Sequence, residues 1–161
     1  MYSLPIARGF TRLPSCYFSF WDGSGKYVNT LNSIVRTDVP GNTTDNDQCS
    51  WSITIGAQRF PEFDCSSLQE NWYRLSLAQL MHTGKDSFSI SPQQYKGTKF
   101  IGACNFEKAL GMAGHTGVNT RSGSQLTLNF RGLPVAINTI HVVLHYEVAV
   151  NVSAAGIEVL D

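Results

Sequence analysis

The stretch NTIHVVLHYEVAVNV near the end of the chain constrains the fold more than any other. Ile140, Val142, Leu144, Tyr146, Val148 and Val150 fall on one face, and His141, Val143, His145, Glu147, Ala149 and Asn151 on the other. β-Branched and aromatic residues at period two describe a strand with one dry face and one wetter face. The same stretch contains His-x-x-x-His, which on a helix would bring two imidazoles onto one metal ion. On a strand His141 and His145 stand roughly 13 Å apart at ~3.3 Å per residue, whereas zinc needs each nitrogen at about 2.0–2.1 Å. The pair therefore reads as two polar positions on a sheet face.

The same period recurs upstream. In LPSCYFSFW, Cys16, Phe18 and Phe20 oppose Tyr17, Ser19 and Trp21 before the turn residues DGSGK. In CSWSITIG, Cys49, Trp51, Ile53 and Ile55 oppose Ser50, Ser52 and Thr54, and Gly56, Ala57 and Gln58 lead into RFPEF as a hairpin. In SQLTLNFRGL, Leu126, Leu128 and Phe130 oppose Gln125, Thr127 and Asn129. SFSISPQQY and TKFIGACNF give shorter β signals, while RTDVPGNTTDNDQ and EKALGMAGHTG read as loops. One segment changes period. SSLQENWYRLSLAQLMHTG opens on the capping box Ser67-Leu68-Gln69-Glu70, in which serine and glutamate satisfy each other's amides. Leu68, Trp72 and Leu75 form its stripe, with Tyr73, Leu77 and Leu80 beside it and Gly84 as the stop. The expectation is an all-β, antiparallel, eight-stranded jelly-roll sandwich with one inserted α-helix over about residues 66–82. Its 161 residues make one domain, 1–161.

Composition narrows the function. Twelve basic and twelve acidic side chains cancel, and no run of like charge offers the basic patch needed to displace counterions from nucleic acid. Arg8, Arg12, Arg121 and Arg131 are expected to pair with carboxylates or loop carbonyls at the sandwich ends. Cys16, Cys49, Cys65 and Cys104 stand far apart with no Cys-x-x-Cys, which argues against zinc knuckles and thioredoxin-type chemistry. No stretch approaches the ~20 apolar residues of a membrane span, and the N-terminus lacks the pattern of a signal peptide. The expectation is an intracellular chain with reduced thiols.

Catalytic patterns are equally lacking. Gly23-Ser24-Gly25-Lys26-Tyr27 lacks the spacer and the hydroxyl residue of a P-loop. No His-x-His occurs, His82, His115, His141 and His145 are scattered, and Ser122 and Ser124 sit outside any Gly-x-Ser-x-Gly elbow. Glu62 and Asp64 precede the helix, where carboxylates favour its macrodipole. No catalytic, cofactor-binding or metal-binding residue is assigned. What does stand out is the aromatic load of Phe18, Phe20, Trp21, Trp51, Trp72 and Tyr73, a residue class enriched at interfaces.

Four passages, YSLPIARGFTRLPSCYFSFW, SWSITIGAQRFPEFDCSSLQENWYRL, FIGACNFEKALGMAGHTGVNTRSGSQLTLNFRGL and IHVVLHYEVAVNVSAAGIEVLD, cover nearly the whole chain. In that order they resemble the C-terminal jelly roll of double jelly-roll major capsid proteins. The resemblance is to those of Polinton-like and adintovirus-like double-stranded DNA viruses and their endogenous relatives. Its most specific parts are IGAQRFPEF, TGVNTRSGSQLTL and the closing HVVLHYEVAVNV with GIEVLD. The resemblance implies a virion protein assembled inside the host cell, without cofactor or enzymatic activity. Its partners would be copies of itself, a sister jelly roll and other capsid proteins, gathered into trimers, with no direct contact to nucleic acid. Candidate interface residues are Phe18, Phe20 and Trp21 on the aromatic strand, Trp72 on the helix, and His115 and Arg121 in the loop from Gly111 to Gly123. The competing expectation is a non-catalytic β-sandwich binding module, lectin-like or receptor-binding, which would be a stable monomer or small oligomer, bind through its loops and, if secreted, carry disulfides.

Overall fold

The computed structural model describes residues 1–21, 24, 49–83, 89–97, 99–107, 116–121, 123–133, 137–153 and 156–160. Among these are nine strands: β1 (Tyr2–Ile6), β2 (Arg12–Trp21), β3 (Ser50–Ile55), β4 (Gln58–Cys65), β5 (Gly102–Asn105), β6 (Leu126–Arg131), β7 (Thr139–Glu147), β8 (Ala149–Ser153) and β9 (Gly156–Leu160). Two helices, α1 (Leu68–Thr83) and α2 (Pro92–Gly97), lie between β4 and β5. The residues 22–23 and 25–26 of the expected turn, the polar loop at 36–48, Gly84 as helix stop and the loop residues 108–115 lie outside the described residues.

All ladders are antiparallel. One sheet has the order β1-β6-β3-β4, a second β5-β2-β7, and β8 pairs with β9 alone. The order has a simple origin. Ladders β3·β4, β2·β5 and β1·β6 nest inside one another, as in one long antiparallel ribbon doubled back at the β3–β4 hairpin. Rolling that ribbon up brings β3 against β6 and β2 against β7. This is the jelly-roll scheme, built from seven strands of the roll plus the two of the C-terminal hairpin, where eight in a single roll were expected.

The dry faces meet between the sheets. Cys16, Phe18 and Phe20 of β2 are buried, as are Trp51, Ile53 and Ile55 of β3 and Leu126, Leu128 and Phe130 of β6. Phe18 lies edge-on to Trp51 and Phe130 with ring centroids 5.0 and 5.2 Å away, and Phe20 meets Phe130 at 5.7 Å. Such geometries add to the area term because ring edges are positive and faces negative. The Phe18 ring also lies over its register partner Gly102, where an added Cβ would sit 2.1 Å from the ring.

Helix α1 closes the β5 side of the second sheet. Ser67 Oγ accepts the Glu70 N–H at 3.1 Å, forming half of the expected capping box. The Glu70 carboxylate goes instead to Arg74 one turn later, at 2.6 Å. The buried stripe is Leu68, Asn71, Leu75 and Ala78, with Trp72 and Leu77 half-buried and Tyr73 exposed. The sequence stripe was thus rotated, because Asn71 is buried for a polar reason: its Oδ1 accepts the Trp51 indole N–H at 2.8 Å and its Nδ2 donates to the Ser67 carbonyl at 2.9 Å.

SPQQY, expected as a strand, begins α2. Ser91 Oγ accepts the Gln94 N–H and Gln94 Oε1 accepts the Ser91 N–H, both at 3.3 Å, with proline at the first helical position.

Candidate assembly surface

The structure separates the five described candidate interface residues, with Phe18 and Phe20 in the core and Trp21, Trp72 and Arg121 apart from them. Phe18 and Phe20 touch each other, with ring centroids 5.7 Å apart, but both are 1 % exposed and packed between the sheets. They are core residues and cannot meet a partner; the correction follows from their sharing the inward face of a central strand. Trp21, on the outward face of β2, is half-buried, packs against His141 with ring centroids 4.4 Å apart and the rings tilted by 47°, and donates its indole N–H to Ser19 Oγ at 2.9 Å. Trp72 is half-buried and donates to the Ile90 carbonyl at 3.0 Å, tying α1 to the segment before α2. Arg121 is exposed, its backbone and side chain lying against Gly9. His115 lies outside the described residues.

The described part of the 111–123 loop is anchored. Val118 exchanges two backbone hydrogen bonds with Leu13, the Thr120 N–H donates to the Phe10 carbonyl at 2.8 Å, and Thr120 Oγ1 accepts the buried Phe10 N–H at 2.8 Å. Glu107 accepts from Thr116 N and Oγ1 and from Gly117 N, at 2.7, 2.5 and 3.0 Å, so one carboxylate clamps the loop's return. Gly117 holds φ at +51°, and a Cβ there would lie 2.9 Å from the Leu13 backbone. The arginines find local partners: Arg12 with Glu147 and Arg131 with Asp64, each at 3.7 Å, while Arg8 lies over the rings of Phe10 and Tyr146 at 5.5 and 5.0 Å.

All four cysteines are free and buried. Burial, which penalises the thiolate, pushes Cys49 and Cys104 up to about 12 and raises Cys16 and Cys65 as well. Cys16 and Cys104 are register partners across β2 and β5. Among the described residues, no three His, Cys, Asp or Glu side chains converge as a metal site, and no helix is long and apolar enough to cross a membrane.

The apolar surface that is actually available lies elsewhere. Alternation on β7 holds through Tyr146, but Val148 and Val150, expected on the dry face, are exposed. The chain passes at Val148 from β7 into the β8–β9 hairpin, whose register sets Val150 opposite Val159 and Val152 opposite Ile157. These four form one apolar face, with Val152 at 71 % and Ile157 at 74 % exposure. Val143 on β7, Phe63 on β4 and Tyr73 on α1 are exposed too. The alternation from Ile140 through Asn151 reads as one strand and misses the hairpin, for which the paired alternations AVNVS and GIEVL were the available signal. Comparisons with protein-family models, with curated proteins and with solved structures returned no match.

Proposed function

We propose that this protein is a structural building block of a viral capsid, a jelly-roll domain that works by burying surface against copies of itself and a sister jelly roll. The observation that carries this reading is the exposed apolar face of Val150, Val152, Ile157 and Val159. A two-stranded hairpin is at best marginally stable by itself, and a contiguous apolar face outside the core marks an interaction surface. The sequence resemblance adds the capsid context, and the anchored residues 116–120, with Arg8, Arg12 and Arg131 engaged by rings and carboxylates, fit a shell protein better than a loop-based binder. Sedimentation velocity over a concentration series tests it. Trimers or closed particles are expected; a monomer at every concentration would remove assembly by this chain alone and bring the binding-module reading forward.

A further inference from the structure

Among the described residues, the nested ribbon leaves one strand without an opposite number. Each of β1 to β6 has its ribbon partner, β1 with β6, β2 with β5 and β3 with β4, whereas β7 has only the rolled-up contact with β2. Among the described residues, no strand lies on the outer edge of β7. A further strand of the roll would sit there, antiparallel to β7.

Burial marks the same place. The inward-facing residues of β7, Ile140, Val142, Leu144 and Tyr146, pack against the core but are only half-buried, while those of β2 beside them are sealed. The opposite edge of this sheet, β5, is covered by α1, one of the usual ways of managing an exposed edge.

We propose that the outer edge of β7 accepts a strand from a second copy of this chain, and that the donor is that copy's β8–β9 hairpin, entering along β9. Three features select this occupant. The hairpin cannot turn back onto its own β7 through Val148 alone, since even the tightest reversal takes a two-residue turn. Its alternation matches the vacancy: with Val150, Val152, Ile157 and Val159 continuing the Ile140–Tyr146 row over the core, the opposite face places Glu158 alongside His141 and His145, a carboxylate beside two imidazoles. And β9, five residues long, fits within the nine-residue β7. Main-chain bonds would supply affinity and the alternating side chains register, as in β-strand addition generally. The contact is heterologous, hairpin to edge, and closes into a ring when the rotation between copies permits. It rests on the capsid reading only for the expectation that copies meet.

The test compares the full chain with Ile157→Lys/Val159→Lys by sedimentation velocity, with urea unfolding as a control for folding. Both positions are exposed, so the unfolding midpoint of the dilute protein should hold, while self-association should weaken about a hundredfold or more. In parallel, Val143→Cys, on the outward face between His141 and His145 and so directly opposite Glu158 in this pairing, and Glu158→Cys are made in separate copies, mixed and oxidised. The native thiols are buried, so a disulfide-linked dimer found only in the mixture is the expected result. Association unchanged by the lysines, with no mixed disulfide, overturns the strand proposal and leaves assembly standing. A wild-type monomer at every concentration overturns both. Strong hydrogen-exchange protection along both edges of β7 in dilute monomer would show that the chain fills its own vacancy, and would overturn the proposal alone.

Discussion

Strands β2 and β7 lie side by side in one sheet and alternate with the same period, yet their fates differ. On β2 the inward residues Cys16, Phe18 and Phe20 are sealed; on β7 the inward row from Ile140 to Tyr146 is half-exposed. Hydrophobicity does not explain the contrast, since valine, leucine and isoleucine are as burial-prone as phenylalanine. Position does. β2 has β5 on one side, β7 on the other and β3 and β6 across the core, whereas β7 is the last strand of the sheet among the described residues. Apolar periodicity decides which face of a strand turns inward, and the neighbours decide how far that face is removed from water.

The comparison breaks most visibly at its largest effect. Phe18→Ala should cost about 3–5 kcal/mol by urea unfolding, whereas Leu144→Ala on β7 should cost about 2 kcal/mol or less in dilute protein, below most buried leucines. Equal losses would mean β7 is already covered. Gly102→Ala drives a methyl into the Phe18 ring and should cost about 1–3 kcal/mol of overpacking; restoring most of it in the Phe18→Leu background would confirm that the ring is what the glycine accommodates.

The thiols sharpen the same contrast through pH. Cys49 and Cys104 are held near 12 in the folded protein, against an ordinary value of 9.0, so the unfolded chain loses these protons first. Their contribution is therefore complete below about pH 9 and declines as pH rises toward 12, by on the order of 1 kcal/mol per thiol over the first unit. Urea midpoints at pH 8, 9 and 10 should show no change and then a fall; a rise would contradict the burial assigned to them. Ser67→Ala, which removes the α1 cap, should cost about 1 kcal/mol. Val143→Thr on the exposed face of β7 should change stability by less than about 0.5 kcal/mol, the smallest effect and the one that fixes that face as solvent-facing.

Much of the fold was readable in the chain because it is written in local periods. The alternations around Phe18, Trp51, Leu128 and Val142 became strands, and the serine-led segment from Ser67 became a helix. What failed to show were polar residues buried for a partner far along the chain. Asn71 is inside because Trp51 brings an indole N–H to it, and no pattern within α1 could announce that. Ser91 and Gln94 were the opposite case, a reciprocal cap plainly written but overshadowed by the alternation of SFSIS. Among the candidate contacts, aromatic character pointed to Phe18 and Phe20, which the core consumed, and passed over Val152 and Ile157, which it left outside.

The sequence by itself determined most of the strands, the main helix and which face of the central strands turns inward, because backbone geometry sets periods of 2.0 and 3.6 that apolar residues must follow to share a side. Only the tertiary structure decided which apolar residues were spent. That choice depends on strand order, on which ribbon pairs close and which edge is covered by a helix, and these are contacts between residues far apart in the chain. They sealed Phe18, half-covered Leu144 and left the face of the C-terminal hairpin open.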